Sequence, residues 1–367
     1  MHDALAAGYR CRDCDLELAT DRLGPCPECG GRPRVAIDDG SAATIDDVSA
    51  ATWTDWLVES VDAPGIGGTP LVDLPETAAA VDVDRLAIKR EGANLTGSIT
   101  DRALAPAIAA AAEQDRGVHI ASPGPGARSA AALAARAGID ATAVVPSRST
   151  FDAKAMVNVH GGAMRVVEGR YADARAAATD LAGVDCAPLA TGRRIAGLRT
   201  IALELATDPP DAIVAPTGHG LLPVALREGC ADLDAMGAIG SVPTIVVAQS
   251  AGCAPIVDGE SIDRPDTVCG ILEVSDPAAG DGARSAVAAT GGDAVAIADD
   301  DALTRAVQTA RRDGVATSTA GGVALAAVDR IRADGLIDGD DRVAVVDPLT
   351  PRSDADILRS HLMRSGE

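Results

Sequence analysis

Four cysteines near the start of the chain fall in two pairs, Cys11-x-x-Cys14 and Cys26-x-x-Cys29, with eleven residues between them. A CxxC turn can aim two thiolates at one point, and two such knuckles complete a tetrahedral metal site. Four sulfurs leave no open coordination position, so the site would be structural rather than catalytic. Zinc is the default ion, and iron also accepts four sulfurs. Disulfide pairing is the alternative, and an intracellular setting disfavours it. Gly30 and Gly31 after the second pair suit a tight knuckle turn. A second candidate lies in Glu91 to Arg102, EGANLTGSITDR. There Gly97-Ser98 offers a turn into a helix, where backbone N–H groups gather around an anion.

The elements that must position these residues follow from the hydrophobic pattern. Leu86–Arg90 reads as a strand, Ala103–Glu113 as an Ala-rich helix, and Ser98 as its cap. Apolar runs of strand length continue at 118–121, 141–145, 164–167, 212–215, 244–248, 294–297 and 343–346. Helix-length Ala/Leu/Arg segments, such as 127–137 and 173–181, lie between most of them. Near-continuous apolar strands alternating with helices predict an α/β fold of parallel sheets flanked by helices. Ligands of such sheets sit beyond the carboxyl ends of the strands. A short helix is expected over 54–61, with Trp53 and Trp56 packing on one face. Cys186, Cys230, Cys253 and Cys269 are expected as small buried hydrophobes.

Composition bounds the rest. The 367 residues suggest two domains or a little more. Net charge is −22 with a pI near 4.5, and the only lysines are Lys89 and Lys154. A dense acidic surface with sizeable apolar cores fits a cytoplasm of very high salt, where screening shortens self-repulsion to about 3 Å at 1 M. Nucleic acid is not expected as a partner, because phosphates would repel this chain. Residues 1–25 lack an apolar run behind a basic start, and no apolar stretch reaches the roughly 20 residues of a membrane span. A cytoplasmic location without membrane contact is expected.

The 89–102 stretch resembles the cofactor-lysine segment of the threonine synthases, within the fold-type-II pyridoxal-phosphate (PLP) enzymes. That family's pattern is K-x-E-x-x-N-P-T-G-S-F-K-D-R, and this chain supplies Lys89, Glu91, Asn94, Thr96, Gly97, Ser98, Asp101 and Arg102. At the position of the lysine that forms the Schiff base in the family stands Thr100. Gly65-Ile66-Gly67-Gly68-Thr69-Pro70-Leu71 resembles the family's entry loop. Ser122-Pro123-Gly124-Pro125-Gly126 resembles the loop whose Asn meets the cofactor ring, with Pro125 in the Asn's place. Pro216-Thr217-Gly218-His219-Gly220-Leu221-Leu222 resembles the phosphate cradle. Glycines there let the backbone approach a phosphate. His219 could add charge at lower pH, although a solvated turn histidine is the plainer reading. Thr191–Ala206 resembles a family helix; its Arg193 and Arg194 are expected as surface charge, with an anionic substrate as the alternative. Ser318-Thr319-Ala320-Gly321-Gly322 has drifted from the family's E-P-S-S/A-A. Asp347 follows the last core strand, where the family has a Thr-Gly whose hydroxyl faces the pyridine nitrogen.

The resemblance implies a two-domain, tryptophan-synthase-beta-like body over 65–352. An N-terminal zinc ribbon over 1–33, an acidic linker over 34–64 and a tail over 353–367 complete the expected organisation. It implies PLP as family cofactor, with Ser122, Gly124, Gly218, His219, Gly220 and Leu221 as its contacts. Metal contacts are Cys11, Cys14, Cys26 and Cys29. No catalytic residue is assigned, because Thr100 occupies the lysine position. A lysine is needed both to present the cofactor as an imine and to move protons at the substrate carbon, and a Thr hydroxyl has no suitable pKa for the second task. The expected function is therefore a threonine-synthase-like protein that no longer runs the family reaction. It would bind a small amino-acid-like or phosphorylated metabolite, as a homodimer of the kind the family favours. The alternative is an active enzyme that converts O-phosphohomoserine to threonine or eliminates ammonia from Ser/Thr, with noncovalent PLP or a displaced lysine.

Overall fold

The computed structural model describes residues 6–37, 48 and 51–365. Parts of the expected segments 1–33, 34–64 and 353–367 (residues 1–5, 38–47, 49–50 and 366–367) lie outside them. The first three strands are β1 (Ala6–Cys11), β2 (Glu17–Leu18) and β3 (Pro33–Ile37). Next come β4 (Leu71–Asp73) and β5 (Arg85–Arg90), then β6 (Val118–Ala121), β7 (Ala141–Pro146), β8 (Ala163–Val167) and β9 (Val184–Asp185). The last four are β10 (Ala212–Pro216), β11 (Thr244–Ser250), β12 (Ala294–Ile297) and β13 (Arg342–Asp347). The chain divides into two units, Met1–Gly68 with Asn94–Thr200 and Thr69–Ala93 with Ile201–Glu367.

Among the described residues, the first unit holds two sheets. An antiparallel ribbon runs β2-β1-β3, and a parallel sheet runs β8-β7-β6-β9. Its core packs Ile120, Ala143 and Val145 of the strands against Leu104, Ile108, Ala130 and Ala134 of the helices. With one residue in a hundred aromatic, close helix-to-sheet approach through alanine fills space that rings would otherwise occupy. Helix Ile99–Glu113 begins four residues before the expected Ala103. Ser98 is extended and its side chain accepts from Thr100 N, which satisfies a donor the helix itself leaves open.

The second unit is one six-stranded sheet, β12-β11-β10-β13-β5-β4. Five strands are parallel, and β4 closes the edge antiparallel to β5. Ile88, Val214, Val246 and Val345 form its core with Ala320, Val323, Ala324 and Ala327 of helix Thr319–Ala333. β5 and β13 pair over six residues, which brings Arg90 beside Asp347 at their carboxyl ends.

All seven long apolar runs are strands, with ends shifted by no more than two residues. The expected helix over 54–61 is instead a single 3-10 turn, Trp53–Trp56. Thr52 N donates to Asp55 Oδ2 at 2.7 Å and starts the turn. Leu57 is already extended, and the β-branched Val58 and Val61 do not continue it. Trp56 is buried as expected of a packing residue. Cys186, Cys230, Cys253 and Cys269 are all buried.

Candidate functional site

The 94–102 stretch folds into a network of its own side chains. Thr96 donates from its N–H and its hydroxyl to the two oxygens of Asp101, both at 2.6 Å. Asp101 is fully buried, and burial raises its carboxyl above the ordinary value against the pull of these donors. The Thr100 hydroxyl lies in the first turn of helix Ile99–Glu113, 2.6 Å from Ser129 Oγ and 2.8 Å from Ser98 Oγ. Arg102 is buried as well; it donates to Thr200 Oγ1 at 2.8 Å and stands 5.9 Å from the Trp53 ring centre. Gly97 takes a φ of +84°, which a side chain would strain. Asn94 Oδ1 accepts from Gly67 N at 2.9 Å, tying the 65–71 loop to this stretch.

In the 121–126 loop, Ser122 Oγ accepts from Gly124 N at 3.2 Å. Gly124 has φ +154°, and a Cβ there would meet Ala153 Cβ at 2.8 Å. Pro125 is the first residue of helix Pro125–Ala137 and offers no donor.

In the second unit, β10 leads into the 217–220 loop and helix Leu221–Ala235, with Gly220 as cap at φ +84°. A Cβ on Gly220 would meet Ala279 O at 2.5 Å, and one on Gly218 would meet Ile271 O at 3.0 Å. The loop therefore needs both glycines. The first N–H groups of the following helix have no intrahelical acceptor and face the loop end. Leu221 is buried, so only its backbone can serve a ligand, whereas Gly218 and His219 are partly exposed.

At the end of β13, Asp347 is 1% exposed. Ser318 Oγ donates to Asp347 Oδ1 at 2.5 Å, and Ser318 N lies 3.3 Å from both oxygens. Burial pushes the Asp347 carboxyl up to about 7, with the Ser318 contacts pulling the other way. Ser318 also caps helix Thr319–Ala333 through Gly321 N, and a Cβ on Gly321 would meet Asp347 Oδ1 at 2.7 Å. The drifted 318–322 motif thus has a physical cause: its glycine makes room for Asp347. No sequence signal short of pairing these two positions reveals that.

Both lysine amines are engaged. Lys89 is 2% exposed; its Nζ donates to Glu204 Oε2 and to Thr69 O, each at 2.5 Å. Lys154 Nζ donates to Ser147 O at 2.8 Å. Arg193 corrects the expectation of surface charge. It is fully buried, with Nε on Glu59 Oε1 at 2.6 Å, Nη1 on Arg22 O and Nη2 on Thr20 O. Tyr9 completes the cluster, with its hydroxyl 2.9 Å from Glu59 and its ring 4.8 Å from the Arg193 guanidinium carbon. Arg194 is half-buried and donates to Cys186 O at 3.3 Å. A compensating carboxylate 134 residues away is what takes Arg193 inside.

The four cysteine sulfurs lie within 4.8 Å of one another. The Cys11–Cys29, Cys14–Cys29 and Cys14–Cys26 separations are 3.4, 3.5 and 3.7 Å. Tetrahedral zinc–thiolate bonds of about 2.3 Å set sulfurs about 3.8 Å apart, so the cluster can hold such an ion. Gly30 has φ +74°, and a Cβ on Gly31 would meet Cys11 Sγ at 2.7 Å, so the second knuckle depends on glycine.

Residues 63–348 match the family model described as pyridoxal-phosphate dependent enzyme. The threonine synthase of Methanosarcina acetivorans is 27% identical over 364 residues, covering 92% of this chain and 90% of that protein. The threonine synthase of Mycobacterium tuberculosis is 30% identical over 280 residues, covering 74% and 78%. Among solved structures, the processed threonine deaminase isoform 2 of Solanum lycopersicum superimposes with a TM-score of 0.70 at 18% identity over 87% of each chain. Maize serine racemase gives 0.69 at 19%, over 89% of this chain and all of that one. These structures share the fold. The chain belongs to the fold-type-II pyridoxal-phosphate-dependent enzymes, in the threonine synthase family.

The glycines of the 217–220 loop make room for the carbonyl oxygens of Ile271 and Ala279. The imine requires a free primary amine, and Thr100 offers a hydroxyl tied to Ser98 and Ser129. Pro125 has no donor for a ring oxygen, and Asp347 is turned to Ser318. No helix among the described residues is long and apolar enough to cross a membrane.

Proposed function

We propose that this chain is a threonine-synthase-like protein that binds a phosphorylated, amino-acid-like metabolite without covalent chemistry. Thr100 stands for the family's Schiff-base lysine in this reading. The observation that carries it is the state of the two lysines: Lys89 holds Glu204 in a buried ion pair and Lys154 holds Ser147 O, so neither amine is free to replace the missing one. Converting Lys89 to an imine would strip Glu204 of its cation, which is costly for a carboxylate only 16% exposed. The 217–220 loop would receive the phosphate through backbone N–H groups. Gly218, His219, Gly220 and Leu221 form that contact, while Ser122 and Gly124 keep their loop in shape. The four-cysteine cluster holds a structural zinc, and the chain works as a cytoplasmic homodimer in high salt.

Two assays test this reading. Titration with O-phosphohomoserine in molar KCl should show saturable binding that Gly218→Ala weakens, because the added methyl meets Ile271 O. The same substrate with PLP should release no threonine. Threonine formation would overturn the reading in favour of an active enzyme.

A further inference from the structure

A pocket of about 420 Å³ opens in the first unit, walled by Arg22, Leu23 and Gly24 on one side and by Arg116, Gly183 and Asp185 on the other. Its first wall is the loop between the two cysteine knuckles. That wall is fixed from below: the buried Arg193 donates to Arg22 O and Thr20 O, and Glu59 holds Arg193 in turn.

The charge at this pocket is opposite to that of the whole chain. Formal net charge is −22, yet two guanidinium groups line the pocket. Arg22 uses Nε on Pro25 O, and Arg116 uses Nη2 on Gly183 O, so each keeps further N–H donors for a ligand. The one carboxylate in the lining is already compensated. Asp185 accepts from Arg175 Nη2 at 2.7 Å and from Ala187 N at 2.8 Å. His119 Nε2 lies 3.8 Å from it, and Arg194 is within electrostatic reach. Three buried N–H or ring nitrogen atoms around Asp185 (Arg175 Nη1, Arg194 Nε and His119 Nε2) have no hydrogen-bond partner among the described residues. The lining itself carries two guanidinium groups against one carboxylate. The volume matches that of small-ligand sites.

We infer that this ribbon-walled pocket is a second binding site, for a small oxyanion such as a phosphate ester or a carboxylate, with Arg22 and Arg116 as its ligand-binding residues. Arginine is suited to the task because its planar fork meets two oxygens at once. Arg193 acts as a positioning residue by holding the wall. All of its lining residues belong to the first unit, whereas the 217–220 loop belongs to the second.

Calorimetric titration with orthophosphate at fixed ionic strength tests the inference. Two saturable sites are expected in the wild type, and the double variant Arg22→Gln/Arg116→Gln should lose one of them. Arg312→Gln, an exposed arginine outside the pocket, should keep both. One site in the wild type and none in the double variant would support this pocket while removing the phosphate role of the 217–220 loop. A site count unchanged by the double variant, or no phosphate binding by the wild type, would overturn the inference.

Discussion

The hydroxyl of Thr100 lies 2.6 Å from that of Ser129, and the contact closes a small polar network that also takes in Ser98, Thr96 and Asp101. The place read as the family's lysine is thus filled by a residue whose hydrogen bonds are satisfied locally. Thr100→Lys tests whether the amine is the missing part. Incubation with PLP and borohydride should then label residue 100. Absence of label in a folded variant would mean that more than the amine has been lost. Thr100→Ala should cost about 1 kcal/mol in denaturant unfolding, the usual worth of such a hydrogen bond.

Arg193 and Glu59 form an ion pair in which neither side chain exceeds 2% exposure. Burial raises the Glu59 carboxyl while Arg193 pulls it down. Removing one partner leaves an uncompensated buried charge, at a typical cost of about 3–5 kcal/mol. Arg193→Met should lower the denaturant midpoint accordingly. The double variant Arg193→Met/Glu59→Leu should recover much of the loss. Equal midpoints for the single variant and the wild type would show the pair to be energetically idle.

Asp347 gives a pH dependence with a definite sign. Its carboxyl is raised to about 7, with burial as the main cause, from an ordinary value of about 3.9. The folded chain therefore favours the proton. That contribution is fully present below about pH 4 and is lost as pH rises through about 7. The shift sets an upper limit of about 4 kcal/mol on the effect. In urea unfolding, Asp347→Asn should match the wild type's trend up to about pH 4. It should then lose less stability than the wild type between about pH 4 and pH 7. Parallel profiles would contradict the buried-acid reading.

Parallel strands buried on both faces are written as continuous apolar runs, so β6, β7, β10, β11 and β13 were legible. β9 has only two residues, and β4 is a three-residue antiparallel edge, too short for either to carry a period. The cysteine cluster was legible because its geometry is local to two short turns. Burial of Arg193 was not, because Glu59 lies 134 residues before it. The pairing of Asp347 with Gly321 and Ser318 was likewise hidden, since a strand end and a helix cap meet only in the fold. Discontinuous units add to this: residues 69–93 join the second unit through β4 and β5, paired with a strand some 250 residues later.

The cysteine cluster should carry one zinc per chain by elemental analysis of purified protein. Cys29→Ser should abolish it and lower the melting temperature, because metal binding to such a site contributes directly to folding. Protein free of metal that melts at the same temperature as the wild type would argue against a structural ion.

The most direct measurement is borohydride reduction of the wild-type protein with PLP in molar KCl, followed by peptide mass mapping. Noncovalent binding with no free amine requires that no lysine peptide carry the reduced cofactor and that no imine absorption appear. A stoichiometric label on Lys89 or Lys154 would place the Schiff base at a displaced lysine and contradict the proposed loss of covalent chemistry.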